Sequence, residues 1–167
     1  MDFEQFVAAQ LPALIRYSAM LCNDRELAQD VVQEVLVRVH ARWRRISALD
    51  RPELYLRRMV TNEYLSWRRR GARRASTLGR WGATLAKPEV ADHAERTVAR
   101  SALNQQLAGL PPRQRAVLIL GYYEGLGDAE IAGLLGCSAG SVRSYRSRAL
   151  AALRYELTET VSAGEDR

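Results

Sequence analysis

Between Gly127 and Arg148 the chain carries a pattern that few folds can accommodate. Ile131 and Leu135 stand one helical turn apart, Gly136 follows at once, Ser138 lies two residues on, and Val142 returns an apolar side chain four residues later. The spacing predicts two short crossed helices. Ile131, Leu135 and Val142 would form a small core between them, with Ala132 permitting close approach. Gly136 would supply the positive φ of the turn, and Ser138 would cap the second helix. This is the layout of a helix-turn-helix. Stepping about 100° per residue from Val142 brings Ala149, Leu150, Leu153 and Leu157 within about 80° of it, on the core side. Arg143, Ser144, Ser147, Arg148 and Arg154 point elsewhere. Ser141, Arg143, Ser144, Ser147 and Arg148 are therefore the candidate contacts to duplex bases and phosphates, since arginine offers paired hydrogen bonds to guanine. A helical hairpin packed against a further helix would show the same apolar spacing.

The rest of the chain keeps the helical period, and no segment sustains strand-like alternation, so the expected fold is all-α: two small helical domains joined by a flexible linker. Asp2 with Gln5 predicts a capped first helix carrying Phe3, Phe6, Val7, Leu14 and Leu21, kinked or divided at Pro12. Asn23 with Glu26 predicts the cap of a second helix, with Leu27, Val31, Val32, Val35, Val39 and Trp43 inward. A loop over 45–49 then leads to a third helix, started by Asp50, Pro52 and Glu53 and closed at Gly71. Domains are expected over 1–71 and 93–160, with a linker over 72–92 and a polar tail over 161–167. Helical signals resume near His93 and run through Leu103, Leu107 and Leu110 to Pro111 and Pro112. A further helix follows to Tyr123, although its run Ala116–Leu120 also fits a strand.

The net charge of +6 is concentrated rather than spread. Residues 51–80 hold nine arginines against Glu53 and Glu63, a net of +7, so the remainder of the chain sums to −1. Such a concentration suits a polyanion. On the third helix, Met59, Leu56, Trp67 and Val60 share one stripe, while Arg58, Arg69, Asn62, Tyr55 and Ser66 share another. The second stripe suits single-stranded DNA: arginines hold phosphates, Asn62 offers a donor and an acceptor, and Tyr55 stacks on a base. It equally fits a well-solvated helix.

Other functions find less support. No run approaches the roughly 18 apolar residues of a membrane span, and the acidic start lacks a signal peptide's basic region, so membrane insertion is not expected and the cytoplasm is the expected compartment. Cys22 and Cys137 are far apart, with only His40 and His93 as imidazoles, so neither a metal site nor a cofactor is expected. Asp30 and Glu34 share a helix face, but no histidine, nucleophile or glycine loop completes a catalytic group, and the chain is not expected to be an enzyme.

Three blocks carry a family likeness. They are Asp24–Val35; Tyr55–Asn62 with Arg68–Arg70; and Leu110–Leu118, Tyr122–Gly125, the helix-turn-helix and Arg148–Leu150. In this order they resemble the extracytoplasmic-function sigma factors of the sigma-70 family, particularly the sigma-E-like group of actinobacteria, over about residues 3–157. The resemblance implies a transcription-initiation subunit that binds core RNA polymerase, recognises minus-thirty-five and minus-ten promoter elements, and promotes melting. It implies that Asp30, Gln33, Glu34 and Val37 dock on the β′ clamp helices, that the C-terminal domain meets the β flap, and that an anti-sigma factor is a possible partner. It assigns the loop from Arg45 to Arg51, including Ser47, to a flipped minus-ten base, and Tyr55, Arg58, Asn62 and Arg69 to the non-template strand. Ser141, Arg143, Ser144, Ser147 and Arg148 would read the minus-thirty-five duplex.

Two departures stand out. The usual Lys-Ser-Arg after the recognition-helix valine is Arg143-Ser144-Tyr145, and Gly127 replaces a common serine cap. Promoter sequence is therefore not carried over by resemblance. Leu54-Tyr55-Leu56 stands where the family often has tryptophan, which weakens the carry-over to Tyr55. The rival reading is a stand-alone helix-turn-helix repressor or activator, which would bind an operator unaided, typically as a dimer.

Overall fold

The computed structural model describes the backbone of residues 2–77 and 96–162 and the side chains of 2–73 and 103–154. The chain divides into two compact units, Met1–Glu89 and Val90–Arg167. All regular structure among the described residues is helical.

The first unit contains α1 (Phe3–Cys22), α2 (Arg25–His40), α3 (Trp43–Ile46) and α4 (Pro52–Thr77). Asp2 caps α1 by accepting the Gln5 N–H at 2.8 Å. Pro12 does not divide the helix, which is continuous from Phe3 to Cys22 with the proline ring on its exposed side. The next cap is shifted by one residue from its expected place. Asp24 Oδ1 accepts the Leu27 N–H at 2.9 Å, whereas Asn23 ends α1 in the left-handed conformation, φ 50°. Asparagine tolerates that conformation better than most residues, so the tight α1–α2 corner uses both polar residues in turn.

Helices α1, α2 and α4 pack against one another. Leu14, Tyr17 and Leu21 of α1 meet Val31, Val32, Val35 and Val39 of α2 and Leu56, Val60 and Tyr64 of α4 in the buried core. Leu27 is only half-buried, and Trp43 lies beyond α2 in the separate helix α3. The Trp43 ring packs 4.8 Å from Phe6 and 5.6 Å from Phe3, centroid to centroid, covering one end of the unit. Polar bonds also cross the core. Ser18 Oγ donates to the Ala28 carbonyl at 3.2 Å, and the Tyr17 and Thr61 hydroxyls lie 2.6 Å apart. Thr61 donates its one hydroxyl proton to the Arg57 carbonyl, so Tyr17 is the donor in that pair.

Helix α3 occupies the start of the expected 45–49 loop and buries Ile46. Arg51, rather than Asp50, precedes α4; its carbonyl accepts from Tyr55 N, while its Nε donates to Glu53 Oε1 at 3.2 Å. Gly71 does not end α4, which continues to Thr77, because an exposed glycine in a helix flanked by alanine and arginine weakens it by only about 1 kcal/mol. Residues 72–77 thus belong to α4 rather than to the linker, and the remainder of the expected linker lies outside the described residues.

The second unit contains α5 (Arg96–Gly109), α6 (Pro112–Leu118), a π-helical turn (Ile119–Tyr123), α7 (Asp128–Leu135) and α8 (Ala139–Ser162). The expected start near His93 lies outside the described residues. Pro112 opens α6, where a missing N–H costs nothing. The Ala116–Leu120 run is helical and wholly buried, so its strand-like apolarity reflects burial on all sides. Leu107, Leu110, Leu118 and Ala149 form one cluster, with Leu150 and Leu153 packed on it, whereas Leu103 is exposed. Arg115 is buried at the α5–α6 corner and donates to the carbonyls of Ala108 at 2.6 Å and Leu110 at 3.3 Å. Its guanidinium thereby satisfies helix-end carbonyls that lack intrahelical donors.

Candidate nucleic-acid interface

Helices α7 and α8 form the expected crossed pair. Ile131, Leu135 and Val142 are buried between the packed helices, and Gly136 adopts φ 62°, ψ 42° at the end of α7. Its N–H bonds the Ala132 carbonyl, a left-handed closure that a side chain would strain. Ser138 Oγ accepts the Ser141 N–H at 3.0 Å and so caps α8. Glycine at 127 leaves α7 without a side-chain cap, but Glu130 Oε2 accepts the Gly127 N–H at 3.0 Å. Arg113 adds a bond from α6 to the Leu135 carbonyl at 3.3 Å, fixing the last turn of α7.

This framework presents one polar face of α8. Arg143, Ser144, Ser147 and Arg148 are exposed, while Val142 and Ala149 are buried on the opposite side. Ser141 is half-buried, its hydroxyl 2.9 Å from that of Ser138, so it belongs partly to the cap. Leu157 lies outside the residues with described side chains. The Asp128–Arg146 ion pair, 2.6 Å long, joins the start of α7 to α8 and has no counterpart in the sequence expectations. Opposite charge eighteen residues apart gives no periodic signal; only the crossing of the two helices brings it together.

In the first unit, Arg58, Asn62 and Arg69 are exposed along α4, with Tyr55 half-buried at the start of the strip. Ser66 is half-buried and receives a hydrogen bond from Arg70 Nη1 at 2.9 Å. Ser47 is exposed after α3, donating to the Arg44 carbonyl at 3.3 Å. Leu56 and Val60 hold the expected inward stripe, Met59 is half-buried, but Trp67 is 41% exposed. It lines an open groove between α2 and α4 with Leu27, Val31, Arg38, Glu63 and Arg70.

Asp30, Gln33, Glu34 and Val37 share the exposed side of α2, with Val37 68% exposed. Glu34 is not isolated there. Arg38 Nη2 donates to Glu34 Oε1 at 3.1 Å and to Glu63 Oε2 at 2.6 Å, and Arg70 Nη2 donates to Glu63 Oε1 at 3.1 Å. Burial pushes the Glu63 carboxyl up, but hydrogen bonds and charge from Arg38 and Arg70 together outweigh it, leaving the group below its ordinary range. The bond to Glu63 raises the Arg38 guanidinium. The i, i+4 pairing of Glu34 with Arg38 was legible from spacing, whereas the link to Glu63 depended on helix packing.

Among the described residues no group of three or more His, Cys, Asp or Glu could hold a metal ion, and no helix is long and apolar enough to cross a membrane. Cys22 is buried and Cys137 half-buried, both as free thiols.

Residues 6–74 match the family model for Sigma-70 region 2, and residues 100–153 match that for Sigma-70, region 4. The helical unit with the arginine-rich helix, followed by the helix-turn-helix unit, thus defines a sigma factor of the sigma-70 type. The chain is 37% identical over 157 residues to an RNA polymerase sigma-E factor of Streptomyces avermitilis, covering 94% of this chain and 86% of that protein. It is 33% identical to the ECF RNA polymerase sigma factor SigL of Mycobacterium tuberculosis, covering 87% and 83%. Among solved structures it resembles the sigma factor RpoE from Bartonella quintana, seen in complex with the anti-sigma factor NepR, with a TM-score of 0.74 at 25% identity over 94% of this chain and 97% of that one. The chain belongs to the extracytoplasmic-function sigma factors.

Proposed function

We propose that the protein binds core RNA polymerase, reads duplex minus-thirty-five DNA with α8 and handles opened minus-ten DNA with α4 and the segment before it. The observation that carries this reading is the two-sided α8: Val142 and Ala149 are buried, while Arg143, Ser144, Ser147 and Arg148 remain exposed. With Ser141 at its start, that face fits the major groove, where guanidinium and hydroxyl groups meet base edges. Arg58, Asn62 and Arg69, with Tyr55 and Ser47 nearby in sequence, suit phosphates and unpaired bases. Asp30, Gln33, Glu34 and Val37 form a mixed acidic and apolar surface for the β′ clamp helices, and the C-terminal unit meets the β flap.

Holding both readers at a fixed spacing on core polymerase raises the effective concentration of each at its promoter element. The chain acts in the cytoplasm, and catalysis of nucleotide addition belongs to polymerase. An anti-sigma partner is part of the proposal, supported by the complex in which the Bartonella quintana neighbour was solved.

Run-off transcription with core polymerase over a genomic promoter pool tests the reading, with promoter-specific transcripts and core binding expected. Absence of both would overturn it; operator binding by the free chain as a symmetric dimer would favour the stand-alone regulator. Arg143→Ala is expected to lower discrimination among minus-thirty-five sequences by about tenfold or more. A uniform loss over all sequences would leave Arg143 a phosphate contact. Asn62→Ala is expected to reduce open-complex formation by about five- to tenfold, scored by permanganate footprinting, and unchanged melting would remove Asn62 from the strand-handling face.

A further inference from the structure

The helix-turn-helix contains one carboxylate placed between two arginines of the proposed DNA-reading helix. Asp128 is the first residue of α7. Its Oδ1 forms the 2.6 Å ion pair with Arg146 Nη1, and its Oδ2 lies 4.0 Å from Arg143 Nη1. The side chains of Arg146 and Asp128 are 25% and 27% exposed, whereas that of Arg143 is 66% exposed. The first contact is thus a partly shielded anchor. The second is too long for a hydrogen bond but well within Coulombic reach.

A third element shapes the anchor. A Cβ added to Gly121, inside the π-helical turn, would lie 3.3 Å from Arg146 Nη2 and 3.7 Å from Ile131 Cδ1. The Arg146 guanidinium therefore rests over a position where the backbone carries no side chain. Gly121, Asp128 and Arg146 belong to the turn, α7 and α8 respectively, so the guanidinium is ion-paired to α7 and packed closely over the turn. Arg143 is three residues before Arg146 on α8 and draws on the other oxygen of the same carboxylate.

We propose that Asp128 is a specificity-determining positioning residue of the helix-turn-helix: it anchors α8 through Arg146 and holds Arg143 under a competing negative charge. The physical consequence is a filter. A DNA contact by Arg143 competes with the attraction of Asp128, and the carboxylate repels nearby phosphates. Paired hydrogen bonds to a correctly placed guanine offset that competition, but a generic phosphate contact does so less fully. Asp128 touches no base in this scheme; it acts through the two arginines. The proposal rests on the reading of α8 as the minus-thirty-five reader.

The test uses the full chain assembled with core polymerase, a pool of minus-thirty-five variants, and a promoter-free duplex over a salt series. Asp128→Asn keeps the side-chain shape and removes the charge. Expected are a loss of discrimination across the pool of about fivefold, tighter retention on promoter-free duplex by about threefold, and a salt slope steeper by about one unit. Asp128→Glu restores the charge and recovers part of the discrimination. In an Arg143→Ala background, Asp128→Asn lowers discrimination by a smaller factor, about twofold, because only the anchoring through Arg146 remains to be lost.

A merely structural Asp128 would lose affinity for all sequences alike and show the same effect with or without Arg143, which overturns the proposal. Gly121→Ala crowds the Arg146 guanidinium, which must shift by a few tenths of an ångström, leaves Asp128 itself unaltered, and is expected to reduce discrimination in the same direction by a smaller factor. If Asp128→Asn does not fold, unchanged discrimination in Gly121→Ala overturns the proposal in its place. Failure of the unsubstituted holoenzyme to select any minus-thirty-five sequence overturns the α8 reading itself. Unchanged selection and salt slope in Asp128→Asn overturn only the role of Asp128.

Discussion

The two units use charge at different points along their helices. In the first, charge and hydroxyl groups join one helix to another: Glu63 of α4 holds Arg38 of α2, and Tyr17 of α1 meets Thr61 of α4. In the second, aliphatic packing through Leu120, Ile131, Val142 and Ala149 joins the helices, and charged groups work at their ends: Arg115 and Arg113 bond helix-end carbonyls, and Asp128 at the start of α7 pairs with Arg146. The difference teaches that arginine content is a poor measure of a DNA-facing surface. Arg70 of α4 binds Glu63 and Ser66, and Arg57 donates to the Glu53 carbonyl, so only some of the arginines on that helix extend freely to solvent. On α8, packing and charge occupy different faces, and Asp128 marks the place where they meet.

Truncations separate these two modes of cohesion. The largest effect is expected from Ile131→Ala, which empties a fully buried position between α7 and α8 and should cost about 3 kcal/mol in denaturant unfolding. A cost below about 1 kcal/mol would show that packing is not what holds the second unit. Arg115→Met should destabilise by about 1–3 kcal/mol, because the carbonyls of Ala108 and Leu110 lose their donor. A gain in stability would mean that relief of a buried charge outweighs those bonds, making the second unit still more purely apolar.

Smaller changes probe the first unit. Tyr17→Phe should cost about 1 kcal/mol by removing the buried bond to Thr61, and a neutral result would assign that interface to packing alone. The Glu63 carboxyl is held below its ordinary range, so its contribution is fully present above the ordinary glutamate value of about 4.3 and disappears as pH falls through the lowered one. An acid titration of stability should therefore lose a component below about pH 4.3 that Glu63→Gln lacks. Smallest of all, Glu34→Gln should shift stability by less than about 0.5 kcal/mol, since its pair with Arg38 is exposed. The same substitution should weaken binding to core polymerase, measured by competition, which separates a partner-facing charge from a cohesive one.

Much of the second unit was legible because its signals are local. Ile131, Leu135, Gly136, Ser138 and Val142 lie within twelve consecutive residues, and each acts through the geometry of one turn or one crossing. The first unit was less legible at its boundaries. Asn23 and Asp24 both have capping chemistry, and the choice between them depended on which could close α1 in the left-handed conformation. Gly71 was a reasonable helix end in isolation, yet α4 passes through it. Trp67 fell on the apolar stripe by angle but outside the core, because it lines the open groove left between α2 and α4.

By itself the sequence determined the helical class, the helix-turn-helix and the faces on which Arg143, Asn62 and Glu34 lie, since periodicity and turn chemistry act over a few residues. Tertiary structure alone decided which charges are already engaged. Glu63 chooses Arg38 and Arg70, and Asp128 chooses Arg146, only after separate helices pack, for Coulombic and hydrogen-bond partners are selected by distance in space rather than spacing along the chain.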